Sequence, residues 1–167
     1  MPQYFAIVGE HDKPLYEAEF TQTAGFAQEI KELNPFILHA ALDIVEDLQW
    51  QPSAGTSGAS VGNGFLRSRS NVSTDNCYLG QVDHFYGLAI TAYLTYGGKK
   101  FVMLHGNNST RGKNSHMIDD NMVRSFYQDV HELYIKTLMN PFYTQDSPIE
   151  SPTFDLRVQT LAKKYLK

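Results

Sequence analysis

The stretch Asn34-Pro-Phe-Ile-Leu-His-Ala-Ala-Leu-Asp-Ile-Val-Glu-Asp-Leu-Gln-Trp50 predicts the helix around which this chain folds. Asparagine is a favourable N-cap and proline suits the first helical position, so the helix is expected to begin at Asn34. At about 100° per residue, its apolar side chains fill an arc of roughly 200°. A surface helix on one core needs an arc of only about 100°. This helix therefore carries more apolar surface than one layer of the protein can cover.

Composition points to a globular chain without nucleic-acid chemistry. The chain has 167 residues, of which 42% are apolar, a size that suits one domain, residues 1–167. A net charge of -4 gives no basic surface for nucleic acid. No apolar run reaches the ~20 residues of a membrane span, and the N-terminal residues do not resemble a secretion signal. With a single cysteine, Cys77, and no internal disulfide, the cytosol is the expected compartment.

Hydrophobic patterning predicts an α+β fold in the order β-β-α-β-β-β-α-α. The expected strands are residues 4–9, 15–20, 77–85, 87–96 and 101–104, and the later helices are 119–138 and 152–165. The first, fourth and fifth strands are apolar on both faces, which is typical of central strands. The second and third alternate, as edge strands do. Antiparallel pairing of neighbours then gives the order 2-1-5-4-3, with one helix on one face and two on the other.

Residues 51–76 interrupt this pattern. The segment is rich in Ser, Gly and Asn, has few charges and shows no periodicity. Such composition predicts a mobile insert within the domain.

The predicted arrangement leaves one side of the first helix without cover, because that helix lies alone on its face of the sheet. Leu38, Leu42 and Val45 are expected to form the open apolar side. A set of polar residues, His39, Asp43 and Glu46, is expected to form its rim. These six residues are the predicted protein interface.

Motifs of catalysis and ligand binding do not occur in the sequence. It has no phosphate-binding glycine loop, no nucleophile elbow and no histidine or cysteine spacing typical of a metal site. His39 and Asp43 lie one helical turn apart, but such pairs are ordinary on a solvated helix surface. No catalytic residue, cofactor or metal is predicted.

Six segments of the chain carry a family resemblance. They are Phe5-Ala-Ile-Val-Gly-Glu-His-Asp-Lys-Pro14, Leu33-Asn-Pro-Phe-Ile-Leu-His-Ala-Ala-Leu-Asp43, Val82-Asp-His-Phe85, Phe101-Val-Met-Leu-His105, Phe126-Tyr-Gln-Asp-Val-His-Glu-Leu-Tyr-Ile-Lys136 and Met139-Asn-Pro-Phe-Tyr143. These segments resemble the sedlin family, the small longin-fold subunits of TRAPP (transport protein particle) vesicle-tethering complexes. The resemblance extends over nearly the whole chain outside the loops. The segment 51–76 departs from the family, in which this connection is usually short.

The resemblance implies a longin/SNARE-like fold and a non-catalytic adaptor function. The implied process is endoplasmic-reticulum-to-Golgi vesicle transport, and also autophagy, in support of a complex that acts as a Rab guanine-nucleotide exchange factor. The implied partners are core and larger TRAPP subunits, with an indirect link to a Rab GTPase. The expected location is cytoplasmic, peripheral at endoplasmic reticulum and Golgi membranes through the complex alone.

Two alternatives remain open. Another longin-fold trafficking module, such as the small chain of a coat adaptor or a SNARE regulator, has the same fold. A small ligand-sensing domain or enzyme would need a pocket with convergent polar groups, and the sequence shows no such cluster.

Overall fold

The structure is a computed structural model, and it describes residues 2–21, 26, 28–50, 77–106 and 119–166. The order of elements in these ranges is the predicted one. The elements are β1 (Gln3–Val8), a 3-10 turn (Glu10–Asp12), β2 (Pro14–Phe20), α1 (Gln28–Trp50), β3 (Tyr78–Phe85), β4 (Leu88–Leu94), β5 (Lys100–His105), α2 (Asp120–Leu138) and α3 (Pro152–Tyr165). The predicted insert 51–76 and the predicted loop 107–117 lie outside the described residues.

The strands form an antiparallel five-stranded sheet in the order β2-β1-β5-β4-β3, which confirms the predicted topology. The burial of each strand explains this order, as the prediction assumed. The central strands β1, β5 and β4 are buried nearly throughout, whereas β2 and β3 contain exposed positions. Both faces of the central strands are covered, so continuous apolar runs belong there.

Side chains of successive strand residues divide between the two faces of the sheet. Ala6 and Val8 pack with α1 in one apolar cluster. Phe5 and Ile7 pack with α2 and α3 in the other. Aromatic rings dominate this second cluster, and Phe5 meets Phe126 edge to face with ring centroids 5.5 Å apart. The predicted division into one helix on one face and two on the other is confirmed.

The predicted start of α1 is wrong. The helix begins at Gln28, six positions before Asn34, and Pro35 lies inside it. Proline removes one helical hydrogen bond, but tertiary contacts hold the preceding turns in place. Ile30 packs against the core, and the Nζ atom of Lys31 lies 2.8 Å from a carboxylate oxygen of Glu19 on β2. Asn34 is therefore not a cap but a fully buried residue of the helix.

The start of α2 follows the prediction, because Asp119 caps the helix. Its side chain accepts hydrogen bonds from the backbone N–H groups of Asn121 at 3.1 Å and of Met122 at 3.3 Å. A carboxylate at this position also interacts favourably with the positive end of the helix dipole.

Candidate protein-interaction site

The apolar side of α1 that was expected to be open is covered by the chain's own sheet. Leu38, Leu42 and Val45 retain only 4%, 3% and 0% of their exposure, and all three pack in the cluster with Val102 and Leu104. The wide apolar arc is present, but the sheet contacts the side that was expected to be open. This part of the predicted interface is wrong, because these three side chains have no free surface for a partner.

The uncovered apolar side of α1 is the opposite one. Phe36 is 72% exposed and Leu33 49%, and Ala40, about one turn after Phe36, is also exposed. Their spacing of i, i+3 and i+7 places them on one stripe of the helix. Leu33, Phe36 and Ala40 are called the α1 flank below. An exposed apolar stripe on a packed helix is a feature of protein-binding surfaces.

One ion pair shows which way the α1 flank faces. Lys31 contacts Glu19 on the edge strand β2. Lys31 lies on the same stripe of the helix as Leu38 and Leu42, seven and eleven positions before them. The side of α1 with those residues therefore faces β2, and the α1 flank faces the opposite edge of the sheet, which is β3.

Acidic residues border the α1 flank. Asp43 and Asp47 follow Phe36 by seven and eleven positions, Glu32 precedes it by four, and all three are exposed. The two other residues of the predicted rim are exposed as well. His39 is at the surface, and the Glu46 carboxylate lies 3.7 Å from the Nζ atom of Lys100. The α1 flank thus has an acidic border and would attract a partner with basic groups beside an apolar surface.

Two further aromatic residues lie at the same end of the sheet as the first turns of α1. Phe85, the last residue of β3, is 40% exposed, and Tyr86, in the turn between β3 and β4, is 91% exposed. The first residues of β4 pair with the last residues of β5, as Ala89 does with His105. The turn before β4 therefore lies at the end of the sheet where β5 ends. Phe26, just before α1, lies beside Gly106 at this same end. The α1 flank and the β3–β4 turn are therefore available to the same partner.

Buried polar side chains form a hydrogen-bonded network under α2. The Thr91 hydroxyl lies 2.9 Å from Nε2 of His105 and 2.9 Å from the Tyr127 hydroxyl. The Tyr127 hydroxyl donates to the carbonyl oxygen of Thr91 at 2.9 Å. Burial lowers the pKa of His105 to about 4 and raises the pKa of Tyr127 well above its usual range. His105 is therefore neutral at physiological pH, and the network acts in packing.

Metal-binding clusters of histidine, cysteine, aspartate or glutamate do not occur among the described residues. Within the same ranges, no helix combines the length and the hydropathy needed to cross a bilayer.

A comparison with protein-family profiles identifies the family of this chain. The sequence profile described as Sedlin matches residues 7–164, nearly the whole chain. The chain belongs to the sedlin family.

Relatives of this sedlin-family chain carry names from one complex. Trafficking protein particle complex subunit 20 of Saccharomyces cerevisiae is 64% identical, over 99% of this chain and 99% of that protein. The transport protein particle 20 kDa subunit of Schizosaccharomyces pombe is 37% identical over 99% of this chain and 100% of that protein. A probable trafficking protein particle complex subunit 2 of Caenorhabditis elegans is 32% identical, over 98% of this chain and 95% of that protein.

Two exposed residues of this sedlin-family chain, Phe36 and Tyr86, were not predicted from the sequence as surface residues. A signal for Phe36 was present, because it follows Leu33 by three positions and precedes Ala40 by four, which is the spacing of one stripe on a helix. With the helix extended back to Gln28, Leu33, Phe36 and Ala40 form a stripe of their own.

Proposed function

We propose that this chain is a non-catalytic adaptor subunit of a TRAPP complex and that α1 is one of its docking surfaces. The observation that carries the proposal is the α1 flank, an exposed apolar stripe on a helix whose other side is fully packed. The names of the relatives, trafficking and transport protein particle subunits, support the choice of complex.

The proposed docking surface differs in part from the six residues named from the sequence. His39, Asp43 and Glu46 are kept as its polar border, because all three are exposed. The apolar contact is assigned to Leu33, Phe36 and Ala40 in place of the buried Leu38, Leu42 and Val45. Phe85 and Tyr86 are added because they lie at the same end of the sheet.

The proposed cellular role follows the resemblance to the family. The chain would act in endoplasmic-reticulum-to-Golgi vesicle transport and in autophagy, at the cytoplasmic surface of these membranes, held there by the complex. It would support assembly of a complex that promotes nucleotide exchange on a Rab GTPase, without contacting nucleotide itself. Core and larger TRAPP subunits are the proposed direct partners.

The test uses S. cerevisiae cells in which this chain, tagged, replaces subunit 20. Purification through the tag, followed by mass spectrometry, identifies the particle subunits that accompany the chain. We expect Phe36→Ser to reduce recovery of at least one subunit by about tenfold, since central interface residues carry most of the binding energy. We expect a similar loss with Asp43→Tyr, because a bulky ring at the border would obstruct docking. Their melting temperatures should remain within a few degrees of the unaltered chain, because both side chains are exposed. Unchanged recovery with both variants would overturn the assignment of the surface, and recovery of no particle subunit by the unaltered chain would overturn the proposed function.

A further inference from the structure

The Asn34 side chain is buried in α1 without a hydrogen-bond partner. None of its surface is exposed, and neither its amide nitrogen nor its amide oxygen is paired. Buried polar groups are nearly always paired, because an unpaired group loses its hydrogen bonds to water and gains none in return. In the helix that starts at Gln28, the Asn34 amide is therefore a destabilising group.

Pro35 weakens α1 at the next position. Proline has no backbone N–H, so the carbonyl oxygen of Lys31, four positions earlier, lacks its helical donor. The proline ring also crowds the preceding turn, which makes proline the least favourable residue in the interior of a helix. Neither penalty applies when proline is the first residue of a helix. Two adjacent residues thus oppose the continuation of α1 back to Gln28.

The same two residues suit a helix that starts at Asn34. With an extended backbone at this position, the side-chain oxygen of Asn34 would accept a hydrogen bond from the backbone N–H of Ile37. Pro35 would then be the first helical residue. Leu33 before the cap and Leu38 at the fourth helical position would form the apolar contact known as a hydrophobic staple. A short helix would therefore give the unpaired Asn34 oxygen a partner.

The start of α3 shows the same local pattern at work elsewhere in the chain. Ser151 is extended, with φ −70° and ψ 117°, and Pro152 is the first helical residue. The backbone N–H of Asp155 donates to the carbonyl of Ser151 at 3.1 Å, which begins the helical hydrogen bonds. A residue of the capping type followed by proline thus starts α3, whereas in α1 the same kind of pair lies six residues inside the helix.

The described contacts of the first turns of α1 are weaker than those of the turns that follow. Ile30 is half-buried against the sheet, and Lys31 is paired with Glu19. The Lys31 side chain retains 54% exposure, and an exposed ion pair of this kind adds little stability. The side chains that hold the helix on the sheet after Asn34 are all buried. They are Ile37, Leu38, Ala41, Leu42 and Val45.

We propose that α1 has two alternative starts, a long one at Gln28 and a short one at Asn34, and that residues 28–33 unwind and refold between them. The contacts of Ile30 and Lys31 favour the long start, and the local sequence favours the short one. Opposed preferences of this size give a minor state with a population of about 0.1–10%.

The start in use determines whether Leu33 belongs to the α1 flank. With the long start, Leu33 lies on one stripe with Phe36 and Ala40. With the short start, Leu33 leaves the helix and turns towards Leu38. A partner that contacts the whole α1 flank would bind the long start and increase its population. This regulation of docking rests on the proposed function, whereas the two starts are a property of the free chain.

The test measures the minor state in the purified, isotope-labelled chain by NMR saturation transfer, which detects exchange on the millisecond timescale. In the minor state, residues 30–33 should have the carbon chemical shifts of a coil and Asn34 those of extended backbone. Helical shifts should resume after Pro35. Ordinary fraying of a helix end would instead change the shifts gradually from residue to residue, without an extended residue at position 34.

Substitutions at the two residues should change the minor population in opposite directions. Pro35→Ala should reduce it by about tenfold or more, because the penalty inside the long helix is removed. Asn34→Asp should increase it by about tenfold or more, because the long start would bury an unpaired carboxylate while aspartate caps the short start well. His39→Gln is the matched control, since residue 39 is helical with either start, and it should leave the population unchanged.

The inference fails if neither the unaltered chain nor Asn34→Asp has a minor state, or if the helix breaks at another position. Should Asn34→Asp unfold in a thermal melt, hydrogen exchange decides, because it detects smaller populations. The backbone amides of residues 32–34 should exchange about tenfold more slowly in Pro35→Ala than in the unaltered chain, and equal rates would contradict the two starts.

The effect on docking is measured separately, in the yeast replacement cells. Asn34→Asp should recover less of the subunit that is lost with Phe36→Ser. Equal recovery, together with an increased short-start population, would overturn the regulation and leave the two starts in place. If the unaltered chain recovers no particle subunit, the proposed function fails, but the NMR result on the free chain stands independently.

Discussion

The two faces of the sheet are packed in different ways. A single helix covers one face with aliphatic side chains, whereas two helices cover the other with aromatic rings and a hydrogen-bonded network. The single helix has apolar residues beyond its contact with the sheet, and these form the exposed α1 flank. On the two-helix face, exposed apolar side chains lie on both helices, such as Leu156 at 68%, and in the loop after α2, where Phe142 is 95% exposed.

The largest expected effect comes from a charge placed on the covered side of α1. Leu42→Glu should destabilise the fold by roughly 3–5 kcal/mol or more, because an unpaired carboxylate would be buried against the sheet. Ala40→Glu, two positions earlier on the α1 flank, should change the free energy of unfolding by less than about 0.5 kcal/mol. Denaturant unfolding of both variants measures the difference. Equal effects would show that the two sides of α1 are not packed as described.

Lowering the pH should have an intermediate effect on stability, through the buried His105 on the two-helix face of the sheet. The folded-state pKa of His105, about 4, lies below its unfolded value, about 6.5. Between these values the unfolded chain binds a proton that the folded chain does not, so stability falls as the pH falls from about 6.5 to about 4. The loss attributable to His105 should be about 3 kcal/mol, at roughly 1.4 kcal/mol per pKa unit.

Denaturant unfolding at several pH values, with His105→Gln for comparison, measures the loss due to His105. His39→Gln, which replaces an exposed histidine, is the control. If the variant and the unaltered chain lose stability equally over this pH range, the burial of His105 does not contribute to the loss.

The smallest expected effect is a gain of stability on the single-helix face. Asn34 is fully buried, and neither its amide nitrogen nor its amide oxygen has a hydrogen-bond partner. Asn34→Leu keeps a similar shape and removes the unsatisfied groups, so it should raise the free energy of unfolding by about 1–2 kcal/mol. Asn34→Asp should lower it. A loss of stability with leucine in thermal and denaturant melts would indicate that the amide has a partner such as a bound water.

Hydrophobic patterning predicted the strand order because it depends only on which strands are apolar on both faces. The continuous runs of β1, β4 and β5 needed cover on both sides, and alternation assigned β2 and β3 to the edges. The predicted start of α2 was also close to the observed one, and the cap found there is a local interaction, since Asp119 accepts hydrogen bonds from the next backbone N–H groups. The same local reasoning failed at Asn34, because contacts of Ile30 and Lys31 with distant residues extend α1 through Pro35.

The sequence by itself determined that α1 has more apolar surface than one sheet can cover, because helical periodicity is a local property of the chain. It could not determine which side of α1 the sheet would contact. That choice depended on how the helix lies across the strands, with Lys31 beside Glu19 and Leu38, Leu42 and Val45 buried. Only the tertiary structure decided that Leu33, Phe36 and Ala40 remain exposed, and that the ring of Phe142 is exposed.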